Sequence, residues 1–354
     1  MAAAGGLAHD LGHPPFGHAG EKQLDELSHG VSKPAPTNSG FEGNAQSFRI
    51  ATRIEASYGE STGLRLTAGT RAAILKYPWG RGKSGLQEKK FGYYDQEQQS
   101  FKDAREWLTN TGIESNQQTL EASAMDLADD ITYAVHDFED FLVLGFMRPS
   151  TILFHCDGYT RRPRKERPNP IEDLAEELSA DYPSRFDADL LRRACRELTS
   201  VPIPTPKSTP YSLRVWRNGN LDFFLSRLRI TDEPHGDKGV RLDVDDVAWH
   251  RIELLKYFSK HYVIRRRETA LLQRAGNMVL QNVISSMKEW IANNPDTSTL
   301  PQRYQWAQDW GKTLGSQTGR AYLDYLCMLS DTEVVHLSAF LMGHRIPKSL
   351  SPSF

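Results

Sequence analysis

Apolar residues in this chain recur at three- and four-residue intervals over long stretches and hardly anywhere at intervals of two, a pattern that confines it to a helical architecture. Over residues 245–263 the stripe runs Val247, Trp249, Ile252, Leu255, Phe258 and Tyr262. Over 269–291 it runs Leu271, Leu272, Ala275, Met278, Val279, Val283, Met287 and Ile291, with Asn293, Asn294 and Pro295 as a stop signal. Two more helices are expected across 321–328 and 333–342. Only 151–154 and 213–216 read as short strand candidates. The expected fold class is all-α.

With 354 residues, 39% of them hydrophobic and 25% charged, the chain can bury a sizeable core, in one large domain or two packed lobes. Loops are signalled at 32–39, 80–85 and 201–210, the last being the best candidate for a boundary between lobes. A formal net charge of −2 gives no global attraction to nucleic acid or anionic lipid, so nucleic acid is not indicated as a partner. The tight cluster Arg161, Arg162, Arg164, Lys165, Arg167 reads as a solvated loop that is also suited to phosphates. Cys156, Cys195 and Cys327 are widely spaced without a CxxC pair, which points away from a disulfide framework or zinc knuckle and towards a reducing, cytoplasmic setting. No apolar run approaches the roughly 18 residues that would indicate a membrane span, and no signal peptide is recognisable.

The chemistry is concentrated near the start, in LAHDLGHPPFGHAGE over 7–21. Gly12, Pro14, Pro15 and Gly17 force a turn between two helical pieces. His9 and Asp10 cannot face the same way along a helix, but at a helix end both reach one ion, and imidazole with carboxylate suits Mn, Fe, Zn or Mg. A loop whose histidines merely satisfy backbone groups has the same spacing. His18 and Glu21 stand at i and i+3, where a carboxylate can hold an imidazole in one tautomer, as in an acid/base dyad or a surface ion pair. Farther on, Asp129, Tyr133 and Asp137 recur every four residues and line one side of a helix. They suit a pocket wall, or simple solvent exposure. Lys76 and Tyr77 beside Pro78, and Lys90 ahead of Gly92, are plausible phosphate contacts.

The runs HDLGHPPFGHAGE, GFEGNAQSFRI, LKYPW, KKFGYY and LADDITYAVHDFED occur in the order seen in dGTPase-like deoxynucleoside triphosphate triphosphohydrolases of the HD superfamily, which the chain resembles over about residues 5–141. A diverged C-terminal motif, DYLCMLSDTEVVHL, lies at 324–337. The resemblance implies an HD-domain-like helical bundle with additional C-terminal helices, divided into a catalytic core at 1–145 and a mostly helical region at 146–354. It also implies a homo-oligomer that uses a divalent metal, Mg or Mn foremost, to cleave a deoxynucleoside triphosphate, dGTP among them, into deoxynucleoside and inorganic triphosphate. By that resemblance His9, Asp10 and Asp129 are metal ligands. His18 and Glu21 form the acid/base dyad, Lys76, Tyr77 and Lys90 contact phosphates, Tyr133 lies against the deoxyribose and Asp137 binds the 3′-hydroxyl.

The family pattern has a further histidine upstream of the HD pair, whereas eight residues precede His9 here. The resemblance therefore implies an N-terminally truncated chain with impaired hydrolysis, His13 being a poor substitute. Two other readings remain open: an HD phosphohydrolase acting on another nucleotide phosphoester, and a non-catalytic nucleotide-sensing module.

Overall fold

Helix starts are written into the sequence as capping side chains, and the computed structural model uses them. Thr67, Asn169, Asp187, Thr209 and Asp245 each accept a hydrogen bond from a backbone N–H in the first turn of the helix that follows, and Ser330 with Glu333 forms a reciprocal capping box. Each such cap contributes about 1 kcal/mol. The structure describes residues 1–29, 40–54, 63–109, 111–160, 169–264, 266–293, 300–313 and 318–344. The loop expected at 32–39, the basic cluster Arg161 to Arg167 and the Asn294–Pro295 stop lie outside the described residues.

Helices run in order α1 (Ala2–Ala8), α2 (His18–Ser28), α3 (Gly43–Arg49), α4 (Ala68–Ile74), α5 (Leu86–Lys89), α6 (Gln98–Arg105), α7 (Leu120–Thr132), α8 (Phe138–Val143), α9 (Pro149–Thr160) and α10 (Pro170–Asp181). They continue with α11 (Ala188–Thr199), α12 (Pro210–Leu225), α13 (Asp246–Ser259), α14 (Arg267–Asn293), α15 (Gln302–Thr313), α16 (Thr318–Cys327) and α17 (Asp331–Leu341). Wider π-type turns extend α3 over Ile50–Ile54, join α7 to α8 over Tyr133–Asp137 and extend α13 over Lys260–Ile264. Among the described residues the all-α expectation holds apart from one two-stranded sheet of β1 (Leu228–His235) and β2 (Val240–Val244).

Contacts divide the chain into two compact units, neither continuous in sequence. The first takes Met1–Met125, Pro234–Val240 and Leu271–Phe354; the second takes Asp126–Glu233 and Arg241–Ala270. This division differs from a single cut near residue 145. It also places 201–210 inside the second unit rather than at a boundary between lobes. The first unit packs Leu24 and Leu27 of α2 with Leu280, Val283, Ile284 and Met287 of α14 and the tyrosines Tyr304, Tyr322 and Tyr325. The second is built around Phe138, Trp216, Leu255 and Phe258, with the Phe138 ring stacked on Trp216.

Both strand candidates are helical instead. Ile152, Cys156 and Tyr159 are buried on α9, and Trp216, Asn220 and Phe224 on α12, so three- and four-residue spacing governs both segments and a local apolar run does not. The real strands carry no alternating pattern, because most of β1 is exposed and it contains Pro234. On α14 the expected stripe is buried only in its later half: Leu271, Leu272 and Met278 are exposed, while Gly276 and Leu280 take the core positions. Among the described residues no helix is long and apolar enough to cross a membrane.

Candidate active site

Helix α1 ends at His9, which keeps helical dihedrals as the C-cap. The imidazole turns back so that Nδ1 lies 2.7 Å from the Gly6 carbonyl, and Nε2 lies 3.3 Å from Oδ2 of Asp10. A proton on Nδ1 donated to Gly6 leaves the Nε2 lone pair beside the Asp10 carboxylate, a nitrogen and oxygen donor pair that fits a divalent ion. Among the described residues, no group of three or more His, Cys, Asp or Glu side chains forms a metal cage.

The turn after Asp10 is locked onto α3. Ser47 Oγ donates to the His9 carbonyl at 2.6 Å and accepts from the Gly12 N–H at 2.9 Å. A Cβ at Gly12 would fall 2.3 Å from Ser47 N, so only glycine allows this approach. Phe16 and Gly17 both take positive φ, and the Phe16 N–H donates to Asp331 at the start of α17. Helix α2 then begins with His18, and Gly20 sits so close to the Pro15 carbonyl that a Cβ would come within 1.9 Å of its oxygen.

His18 and Glu21 pair as their spacing implies, with Nδ1 3.1 Å from Oε2. The imidazole side chain is 82% exposed and the carboxylate 13% exposed, so the dyad presents a wet ring on a buried support. The Glu21 hydrogen bond is the main cause of a raised His18 pKa, partly offset by burial. For Glu21, burial is the largest influence and acts upward, yet hydrogen bonds from His18 and Lys90 outweigh it and hold the carboxyl down at about 2.

Lys90 links this dyad to a second carboxylate. Its Nζ lies 2.9 Å from Oε1 of Glu21 and 2.9 Å from Oε1 of Glu42, whose side chain is 1% exposed. Glu42 caps α3, accepting from the Asn44 and Ala45 N–H groups. Burial raises the Glu42 pKa against the pull of Lys90; for Lys90 burial acts downward, but Glu42 and Glu21 prevail and the ammonium is held charged. Two elements hold Lys90 here. Trp79 Nε1 donates to the Lys90 carbonyl at 2.8 Å, and Gly92 N–H donates to the Trp79 carbonyl at 2.8 Å, with the Gly92 Cα too close to the Tyr77 carbonyl for any side chain. Lys76 and Tyr77 occupy the adjoining turn after α4, with the Lys238 ammonium 5.6 Å from the Tyr77 ring centre.

A buried ionic tie fixes α3 from behind. Arg49 donates from Nη2 to Asp324 at 2.8 Å and from Nη1 to Glu97 at 2.7 Å, and Gln46 also donates to Asp324. The sequence motifs containing Glu42, Arg49 and Asp324 are quoted above without roles for these residues. The one signal that marks them is the presence of charge inside otherwise well-packed motifs.

In the second unit, Asp129 lies on α7, and Tyr133 and Asp137 at the two ends of the π-type turn that follows. Four residues of α-helix overshoot a full turn by about 40°. The wider π turn offsets that drift and keeps Asp137 nearer the stripe of Asp129 and Tyr133 than a regular helix would. Tyr133 is exposed, and the Asp137 pKa is raised, by burial first and by the Asp140 charge second. The neighbouring Asp130 is 3.2 Å from Lys256.

No family model matches the chain. It is 36% identical over 201 residues to a deoxyguanosinetriphosphate triphosphohydrolase-like protein of Bifidobacterium longum, covering 54% of this chain and 37% of the relative. A protein of the same name from Corynebacterium efficiens is 42% identical over 150 residues, 41% of this chain and 32% of its own. In these two alignments the chain thus spans about a third of the relatives' length. A third, from Shewanella sediminis, is 28% identical over 376 residues, covering 95% of this chain and 75% of its own.

Proposed function

From the premise that this chain is a homologue of the deoxyguanosinetriphosphate triphosphohydrolase-like proteins, we propose that it hydrolyses deoxynucleoside triphosphates to deoxynucleoside and inorganic triphosphate in a metal-dependent reaction. The observation that carries the reading is the His18–Glu21 pair resting on Lys90.

His9 and Asp10 would hold a divalent ion, Mg or Mn, and Asp129 is assigned to the same role by the resemblance. When bound, that ion supplies Lewis acidity at the α-phosphate. Because Nδ1 of His18 is engaged by Glu21, Nε2 is the nitrogen that exchanges a proton with the reacting centre. Glu21 fixes the tautomer and stabilises the imidazolium, and Lys90 holds Glu21 in place. Lys76 and Tyr77 bind the triphosphate, and Lys90, whose ammonium also holds Glu21 and Glu42, is assigned to the phosphates by the resemblance. Tyr133 packs against the deoxyribose and Asp137 accepts the 3′-hydroxyl.

The test is incubation of the protein with dGTP and Mn, with the products resolved by ion exchange. Deoxyguanosine and intact triphosphate are expected. Orthophosphate or pyrophosphate as the primary product would refute the proposal.

A further inference from the structure

Three contacts connect His18 to a carboxylate on another element. Nδ1 of His18 meets Oε2 of Glu21 at 3.1 Å, Oε1 of Glu21 meets Nζ of Lys90 at 2.9 Å, and the same Nζ meets Oε1 of Glu42 at 2.9 Å. With His18 protonated, charge alternates from one member to the next and sums to zero. The row runs from water into the protein: the His18 side chain is 82% exposed and that of Glu42 is 1% exposed. Solvent therefore screens the ring end far better than the Glu42 end.

Lys90 acts on the dyad in two opposing ways. Its hydrogen bond, with that of the Gly43 N–H at 3.3 Å, engages Oε1 of Glu21 and leaves Oε2 turned to His18. Its positive charge works against a proton on His18, whereas the charges of Glu21 and Asp10 favour one. The other ring beside His18 is that of His13, edge to face with centroids 5.5 Å apart. Glu42 stands on the far side of Lys90, where it offsets the ammonium charge and leaves the hydrogen bond to Glu21 intact. A carboxylate that only capped α3 would need no more than Oε2, which accepts from the Asn44 and Ala45 N–H groups. Here Oε1 also accepts, from the Asn44 side-chain amide and from Lys90. These four donors favour the ionised form of Glu42, while burial and the Glu21 charge oppose it.

We propose that Glu42 is a positioning residue for His18: it neutralises the Lys90 ammonium, so that Lys90 orients Glu21 without lowering the proton affinity of the imidazole. The role rests on the reading of His18 as the group that exchanges a proton, and adds to it a residue two side chains removed from the ring.

The experiment titrates the His18 ring by NMR of the histidine-labelled full chain. Glu42→Gln keeps an oxygen for the Asn44 and Ala45 N–H groups and removes the charge. It should weaken proton binding by His18 about threefold, the effect of one charge at about 10 Å in partly wet surroundings. Removing both charges, in Lys90→Met with Glu42→Gln, should restore at least the native affinity. An unmoved His18 titration in Glu42→Gln overturns the proposal, and so does a loss that persists in the double variant, because the cause would then be conformational. If Glu42→Gln fails to fold, the Glu42 carboxyl carbon of the unaltered protein decides: it should carry the shift of a carboxylate across the pH range in which His18 titrates, and the shift of a carboxylic acid there overturns the proposal. The titration needs no turnover. A protein that does not hydrolyse dGTP refutes the proposed function, whereas an unmoved imidazole refutes the role of Glu42.

Discussion

His18 is the residue through which the proposed chemistry is most directly measurable. Its pKa is raised and that of Glu21 is lowered, so their mutual stabilisation has a defined window. The His18 contribution is complete below the ordinary 6.5 and is lost as pH rises through the raised value. The Glu21 contribution is complete above the ordinary 4.5 and is lost as pH falls towards about 2. The pair is therefore tightest between those two ordinary values. Glu21→Gln should return the His18 pKa towards 6.5, read from the imidazole proton shifts, and should slow turnover by about a hundredfold. An unmoved His18 titration would show that Glu21 does not support it. Lys90→Met is expected to leave Glu42 buried without its cation, at a cost of about 3 kcal/mol near neutral pH. The deficit should shrink on acidification as Glu42 takes up a proton, and a deficit independent of pH in chemical denaturation would contradict this account.

Among the elements, the turn between α1 and α2 was legible in advance because its constraints are local. Gly12, Pro14, Pro15 and Gly17 announce a turn in the sequence, and the structure makes one with Gly20 pressed on Pro15. Gly20→Ala should cost about 1–3 kcal/mol by overpacking, whereas Gly6→Ala, with open space around it, should raise helicity without harm. Equal melting temperatures for the two variants would argue against the close approach. The strands and two of the helices were less readable. Residues 151–154 and 213–216 look extended only in a short window, and Cys156, Tyr159, Asn220 and Phe224 beyond those windows show the helical period. β1 is invisible because exposure removes the alternation on which strand recognition depends.

On the scale of the whole molecule, the tie between Arg49 and Asp324 joins positions 275 residues apart. Nothing in either local sequence specifies its partner, which explains why the dyad was readable from spacing and its buried support was not. The same distance hid the discontinuous units from a reading that runs along the chain. Asp324→Ala leaves a guanidinium that is 1% exposed with Glu97 but without its bidentate carboxylate, and should cost about 3 kcal/mol. Amide exchange should then accelerate in α3 and α16 together; acceleration in α16 alone would mean that the tie does not couple them. The interleaving of the two units also governs how the protein is made. Leu24 and Leu27 leave the ribosome long before Leu280, Val283 and Met287, the residues that cover them. Throughout translation of the intervening unit, the greasy side of α2 has Phe16 and Phe41 but lacks most of its native neighbours, so the nascent chain passes through a prolonged stage in which a chaperone finds a ready grip.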